Sequence, residues 1–379
     1  MKNKMTNFKK PEWAENKEHD TSRVAEGVKH GHDGFKNSSS PSTPQKKSIK
    51  RKRLDVEDYV SGVLNNDRSI LAQTITLIES NASKHMELAQ KVLQQLLPHT
   101  GKSIRVGITG VPGAGKSTFI EALGQYLCQK GHKVAVLAVD PSSTVTRGSI
   151  LGDKTRMEQL SREKNAFIRP SPSGGTLGGV TRKSRETMLV CEAAGFDVIL
   201  VETVGVGQNE VSVRNMVDFF LLLAITGAGD ELQGIKKGIM ELADAILVHK
   251  ADGDNKQKAK VARADYNQVL HYLQPATEGW VTQAHTASSY TGEGIGDIWN
   301  VIETFQNKMT KSGVLQNRRE SQTIHWINEM VEEQLIFRFK QHPVIKQQKP
   351  FIEQQVLNGQ LSPTKAAKDL LELFDREIK

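Results

Sequence analysis

Gly110-Val111-Pro112-Gly113-Ala114-Gly115-Lys116-Ser117 decides the reading of this chain. These eight residues fit the pattern GxxxxGK[ST], and their setting matters as much as the match. An apolar run at 104–109 precedes them, and a helix-forming stretch at 118–127 follows. A strand that feeds a glycine-rich turn and then a helix gathers backbone N–H groups and the positive end of the helix at one point, a seat for phosphate. The glycines let the backbone turn inward around a β-phosphate. Lys116 neutralises β and γ oxygens, and the Ser117 hydroxyl is a ligand for Mg²⁺. Val111, Pro112, Gly113, Ala114 and Thr118 complete the expected nucleotide lining. A plain glycine turn is the alternative, and the flanking strand and helix speak against it.

Further apolar runs lie at 134–139, 198–201, 219–225 and 245–248, with a more polar one at 280–286. Helix-length amphipathic stretches separate them. Continuous Val/Ile/Leu runs in that arrangement predict an α/β fold: a mostly parallel sheet covered by helices on both faces, with ligands at the carboxyl ends of the strands. Asp140 follows the second run and Glu202 ends the third. Carboxylates at these points beside a phosphate loop suit Mg²⁺, which prefers oxygen ligands. Gly205 is placed to offer its backbone N–H to a γ-phosphate and to move when that group leaves. The run at 245–248 leads into His249-Lys250-Ala251-Asp252, where GTPases carry Asn-Lys-x-Asp. Asp252 would accept both guanine donors, N1–H and the 2-amino group, which adenine lacks. His249 departs from the asparagine, and its ring nitrogen is expected to donate a hydrogen bond in its place. Ser288 and Ser289, followed by Gly292-Glu-Gly294, resemble the last guanine-contacting loop, with Ser289 where alanine is usual.

Residues 54–100 and 306–379 read as helical. Asp67 caps a helix with Leu71, Ile75 and Ile78 on one stripe. Ile324, Ile327, Val331 and Leu335 form another that stops before His342-Pro343. A final helix opens at Ser362-Pro363 with Ala367, Leu370, Phe374 and Ile378 as its stripe. The expected division is a basic tail (1–53), a helical extension (54–100), a nucleotide domain (101–305) and a helical arm (306–379).

The net charge of +8 lies wholly in the tail, where 14 Lys/Arg face 6 Asp/Glu; the rest of the chain balances. The tail reads as disordered, and the folded part makes no electrostatic case for nucleic acid. No apolar stretch is long enough for a membrane span. The first residues lack a secretory signal and are too acidic for a transit peptide. Cys128 and Cys191 stand apart from any histidine cluster, which fits a reducing, cytoplasmic setting without zinc.

With these motifs assembled, the chain from about residue 54 onward resembles the MeaB/ArgK family, G-protein chaperones of adenosylcobalamin-dependent methylmalonyl-CoA mutase. The resemblance rests on Asp140-Pro-Ser-Ser, Leu151-Gly-Asp153-Lys-Thr-Arg156-Met, Glu202-Thr-Val-Gly-Val-Gly-Gln208 and Gly229-Asp-Glu-Leu-Gln233-Gly-Ile-Lys236-Lys237-Gly. It implies a homodimer joined by the C-terminal arm, and magnesium and catalytic-water work shared by Asp140, Asp153 and Glu202. The last run resembles an extra switch loop that senses nucleotide and contacts the mutase, so that Gln208, Asp230, Gln233, Lys236 and Lys237 become switch and partner residues. Arg147 stands where the family commonly has glycine.

The resemblance thus implies a Mg²⁺-dependent GTPase that couples GTP hydrolysis to cofactor loading or protection of an acyl-CoA mutase. Val206, not glutamine, follows Gly205, so intrinsic turnover is expected to be slow and raised by a partner. Three other readings remain open. A nickel-insertion GTPase needs Cys/His ligands, and only His30-Gly-His32 hints at them. Asp252 speaks against an ATP-dependent kinase of amino-acid transport. A nucleotide-gated scaffold would use the tail and arm to recruit partners.

Overall fold

The first strand owes its buried position to residues that suit both faces of a sheet. Val106 and Ile108 are fully buried on one side, while Gly107 meets Phe220, Val217 and Val213 on the other. The computed structural model describes residues 54–139, 157–170, 177–203, 210–226 and 237–376. Seven strands form one sheet: β1 (Ile104–Gly110), β2 (Val134–Val139), β3 (Ala166–Arg169), β4 (Val198–Thr203), β5 (Phe219–Ala224), β6 (Ala245–Val248) and β7 (Gln283–Thr286). Their order is β3-β2-β4-β1-β5-β6-β7, and every neighbouring pair is parallel. The fold is the α/β architecture expected of a P-loop nucleotide hydrolase.

The expected sheet is present and parallel throughout, but β3 is a strand that hydropathy did not mark. Its four residues lie at the sheet edge and are mostly half-buried, so they need no continuous apolar run. The polar run at 280–286 becomes strand only from Gln283.

Helices cover both faces. On one lie α4 (Lys116–Gln129) and α10 (Ile295–Lys311), which set Phe119, Leu123 and Leu127, and Ile298, Trp299 and Phe305, against Val106, Ile108 and Leu200. On the other, the N-terminal helices α1 (Val56–Leu64), α2 (Arg68–Glu79) and α3 (Ser83–Leu96) join α6 (Leu177–Ala193) over Ala135, Ile199 and Val201. The N-terminal helices therefore supply part of the core of that face. Asp67 caps α2 as expected, accepting from the N–H groups of Ser69 at 2.8 Å and Ile70 at 3.1 Å, and Leu71, Ile75 and Ile78 are buried. The short helices α5 (Glu158–Arg162), α7 (Glu210–Arg214) and α8 (Lys237–Met240) lie within the connections, and α9 (Asn255–Leu270) packs Ala259 and Tyr266 beside β6.

Three helices close the chain: α11 (Val314–Gln341), α12 (Pro343–Leu357) and α13 (Pro363–Arg376). The root of α11 is fixed by charge. Arg319 spans both carboxylate oxygens of Asp218, at 2.8 and 2.6 Å, and Arg318 and Arg214 converge on Asp244. Both aspartates are fully buried at the starts of β5 and β6. Beyond this root Ile324, Ile327, Val331 and Leu335 are about half exposed. The stripe read for α13 is displaced by one residue at its start, because Ala366 rather than Ala367 is buried; Ile378 lies outside the described residues. Phe374 packs edge-on against Phe339 and His342.

Candidate active site

The end of β1 lies between the ends of β4 and β5, where the chain's crossovers change direction, the position at which such sheets bind ligands. Gly110 has φ +151°, and a Cβ there would fall 2.3 Å from the Leu223 carbonyl oxygen, so only glycine lets the loop leave β1 this close to β5. Gly115 enters α4 in the left-handed region at φ +86°. Ala114 N–H bonds to Val111 O at 3.1 Å and Phe119 N–H to Gly115 O at 2.8 Å, closing the turn onto the first turn of the helix.

Lys116 lies across this turn and donates from Nζ to Gly110 O at 2.8 Å and Val111 O at 3.4 Å. Burial lowers its pKa, and the carboxylates of Glu202 and Glu210 oppose that shift. Ser117 Oγ donates to Glu202 Oε1 at 2.8 Å. Glu202 is 5 % exposed and sits one residue from the end of β4, where Thr203 Oγ1 also bonds Thr109 Oγ1 at 3.0 Å. A hydroxyl and a carboxylate side by side, both hard oxygen donors, fit a magnesium ion. Among the described residues no group of three or more His, Cys, Asp or Glu has the geometry of a metal cluster.

Asp252 and Ser288 meet directly, the Ser288 hydroxyl donating to Asp252 Oδ2. Ser288 Oγ also accepts from the N–H groups of Tyr290 and Thr291, both at 3.2 Å, which shapes the loop after β7. Lys250 holds a left-handed backbone at φ 58°, and its carbonyl accepts from Asn255 Nδ2 at 2.7 Å. Lys256 bridges to both oxygens of Glu293 at 2.7 Å, tying the first turn of α9 to the loop after β7.

His249 follows β6 at the head of the Asp252 loop, as the sequence reading has it, and its ring is engaged within the protein. His249 is 2 % exposed, with Nδ1 2.7 Å from Ala114 O and Nε2 2.7 Å from Ser289 Oγ. Both ring nitrogens are thus engaged by protein groups, one in the phosphate loop and one in the loop after β7.

The structure thus brings Lys116, Ser117 and Glu202 together at the phosphate loop, joins His249 and Ser289 to Ala114 of the same loop, and sets Asp252 against Ser288. Asp140, Asp153, Gly205, Gln208, Asp230, Gln233 and Lys236 lie outside the described residues. Lys237 opens α8. The sequence reading missed Glu210, which opens α7, is 8 % exposed and acts electrostatically on Lys116. The available signal was a carboxylate at the start of a helix just beyond the Gly205 segment.

The comparisons with known proteins agree with this geometry. Residues 71–344 match the family described as methylmalonyl-CoA mutase-associated GTPase MeaB. GTPase ArgK of Escherichia coli is 51 % identical over 270 residues, covering 71 % of this chain and 82 % of that protein. The mitochondrial methylmalonic aciduria type A homolog of Mus musculus is 46 % identical over 329 residues, covering 84 % of this chain and 79 % of that protein. A crystal structure of a LAO/AO transport system kinase superposes with a TM-score of 0.69 at 39 % identity, covering 84 % of this chain and 97 % of that one. With the phosphate loop, the Ser117–Glu202 pair and the Asp252 loop in place, this chain belongs to the MeaB family of P-loop GTPases.

Proposed function

We propose that the chain is a Mg²⁺-dependent GTPase that serves an adenosylcobalamin-dependent acyl-CoA mutase, methylmalonyl-CoA mutase first among them, and couples hydrolysis to loading or protection of the mutase cofactor. The observation that carries the catalytic part is the contact of Ser117 with Glu202 beside Lys116. The family's description as mutase-associated supports the client.

In this reading the loop N–H groups from Gly113 to Thr118 hold the phosphates, and the Lys116 ammonium leaves its loop carbonyls to neutralise β and γ oxygens. Ser117 and Glu202 would hold Mg²⁺, with Asp140 and Asp153 as the remaining acidic candidates; the bound ion would withdraw charge from the β and γ oxygens. Asp252 accepts the two guanine donors, and Ser288 fixes the carboxylate that does so. Water attacks the γ-phosphorus in line as the β–γ bridging bond breaks, and GDP and phosphate leave. Positioning and charge neutralisation supply the rate. Gly205, Gln208, Asp230, Gln233, Lys236 and Lys237 are proposed as the switch and partner residues through which the client reads the nucleotide state.

The exposed apolar side of α11 supports a homodimer formed through the arm. The proposed division keeps 1–53 as tail, 54–100 as helical extension, 101–305 as nucleotide domain and 306–379 as arm. Among the described residues no helix is long and apolar enough to cross a membrane; a cytoplasmic setting is part of the proposal.

Two rival readings have weaker support. Cys128 and Cys191 are free and buried, and burial pushes the Cys128 thiol up to about 11, which does not suit a nickel ligand. A transport-related kinase acting on ATP is disfavoured by Asp252, which has no donor to accept from adenine N1.

The test is GTP turnover, with ATP as control, in the presence and absence of the B12-dependent mutase. Acceleration of GTP hydrolysis alone supports the proposal. Slow GTP turnover that ignores the mutase removes the chaperone role, and equal use of ATP removes the guanine reading.

A further inference from the structure

We propose that His249 and Ser289 are a matched positioning pair that ties the base-recognition loop to the phosphate loop, with His249 contacting neither base nor phosphate. The inference rests on the reading of Asp252 as the guanine contact and goes beyond it.

The hydrogen-bond directions follow from the partners. A backbone carbonyl only accepts, so the 2.7 Å contact to Ala114 O requires the proton on Nδ1. In the neutral ring Nε2 then carries a lone pair, and Ser289 must donate its hydroxyl across the second 2.7 Å contact. Burial favours this neutral form by lowering the imidazole pKa. The ring is locked in place from the sides. Phe119 meets it edge-on at 5.9 Å, and a Cβ on Gly115 would fall 2.8 Å from Nδ1.

A continuous path results. Asp252 is held by Ser288; the next residue, Ser289, holds His249; and His249 holds the carbonyl of Ala114, inside the phosphate loop. The two departures from the common GTPase pattern, histidine for asparagine and serine for alanine, meet each other. Alanine at 289 would leave Nε2 without a donor. Asparagine at 249 carries both polar atoms at one short end, so it could replace Nδ1 but not also reach Ser289.

The test uses the full-length chain with the variants S289A, H249N, H249Q, H249A and H249N/S289A. The readouts are release of fluorescently labelled GDP and KM and kcat for GTP. Glutamine can mimic Nε2 and asparagine Nδ1, so the two isolate the two ends of the tie. S289A and H249N are each expected to speed GDP release and raise KM by about threefold to tenfold, the range that one buried hydrogen bond contributes. The loss should fall in KM more than in kcat. In the double variant the two effects should not multiply, because each single change already breaks the same link.

Effects that multiply, or an H249N protein indistinguishable from the parent, overturn the pairing. A variant with a lowered unfolding midpoint but unchanged KM and GDP release would also overturn it, leaving His249 a merely structural residue. S289A keeps the test available if H249A does not fold, since Ser289 is only half-buried. D252N separates the underlying reading from the pair. It should shift preference from GTP to XTP, whose 2-oxo group accepts where guanine donates. Failure of that shift sinks the Asp252 assignment, whereas a successful shift without coupling in the 249/289 series sinks only the pair.

Discussion

Ser117 Oγ donates to Glu202 Oε1 at 2.8 Å, and this bond joins the first turn of α4 to the end of β4. Its two halves come from different parts of the sequence, 85 residues apart. Glu202→Gln keeps a group able to accept from Ser117 but removes the charge that favours the Lys116 ammonium and that the proposed Mg²⁺ site would use. The expected result is a folded protein whose kcat falls by about 10² or more, the scale of one lost charge-assisted contact at a phosphoryl-transfer site. Titrating Mg²⁺ against turnover checks the cause. A variant with the parent's Mg²⁺ dependence would show that Glu202 has only a structural role.

Lys116→Ala tests the other side of the same corner. The ammonium is partly desolvated, and the neighbouring carboxylates Glu202 and Glu210 favour its charged form. Removing it deletes the positive charge and leaves the loop carbonyls of Gly110 and Val111 without their donor. GTP and GDP affinity should both fall, with GTP losing more because the γ-phosphate adds negative charge. Calorimetric titration with GDP and a non-hydrolysable GTP analogue reads the difference directly; equal losses would place the lysine on the β-phosphate alone.

Much of this corner was legible in the sequence, since the glycines and Lys116-Ser117 are contiguous and the run into Glu202 is strongly apolar. The contacts of His249 were not. The motif assigns that position to base recognition, and only the folded packing of Ala114 on one side and Ser289 on the other shows both ring nitrogens in use. Edge strand β3 was missed because a half-buried strand of four residues carries little periodic signal. The Asp218–Arg319 and Asp244–Arg214–Arg318 contacts also left no trace, because buried ion pairs join residues with no fixed spacing.

Those ion pairs make a stability prediction. Asp244 is fully buried, accepts from Phe220 N–H at 2.9 Å, and neutralises Arg214 and Arg318. Asp244→Ala leaves two guanidinium groups near the sheet without this carboxylate, and breaking such a buried pair costs about 3–5 kcal/mol. The urea midpoint should fall accordingly. Because Arg318 lies on α11, limited proteolysis should then cut at the root of the arm before it cuts the sheet.

The histidines predict a pH dependence with a definite sign. Burial lowers the pKa of His249, and also that of His285, where Arg263 adds to the effect. Below about pH 6.5, the unperturbed histidine value, the unfolded chain takes up protons that the folded chain refuses. Stability is therefore full above that pH and declines as pH falls toward the depressed folded values. Thermal midpoints measured from about pH 8 to 5 should drop in the parent and drop less steeply in His249→Asn. Parallel curves would mean that His249 does not contribute to the decline.

The arm carries the last prediction. Ile324, Ile327, Val331 and Leu335 span about three turns of α11, and all are 45–60 % exposed. One stripe of this length buries less than the roughly 800 Å² per partner of a standard interface. Phe351 on α12 and Leu371 on α13, at 62 % and 56 % exposed, extend the available apolar surface. A homodimer through the arm would cover these groups on both copies by one two-fold relation. Placing two carboxylates in the second half of the stripe, as in V331D/L335D, would then bury four charges across the axis. Sedimentation should show the parent as a dimer and the variant as a monomer, with GTP turnover in the absence of the mutase retained because the changes lie far along α11 from the phosphate loop. A monomeric parent would instead reserve this stripe for the mutase, and the same variant should then abolish acceleration by the mutase.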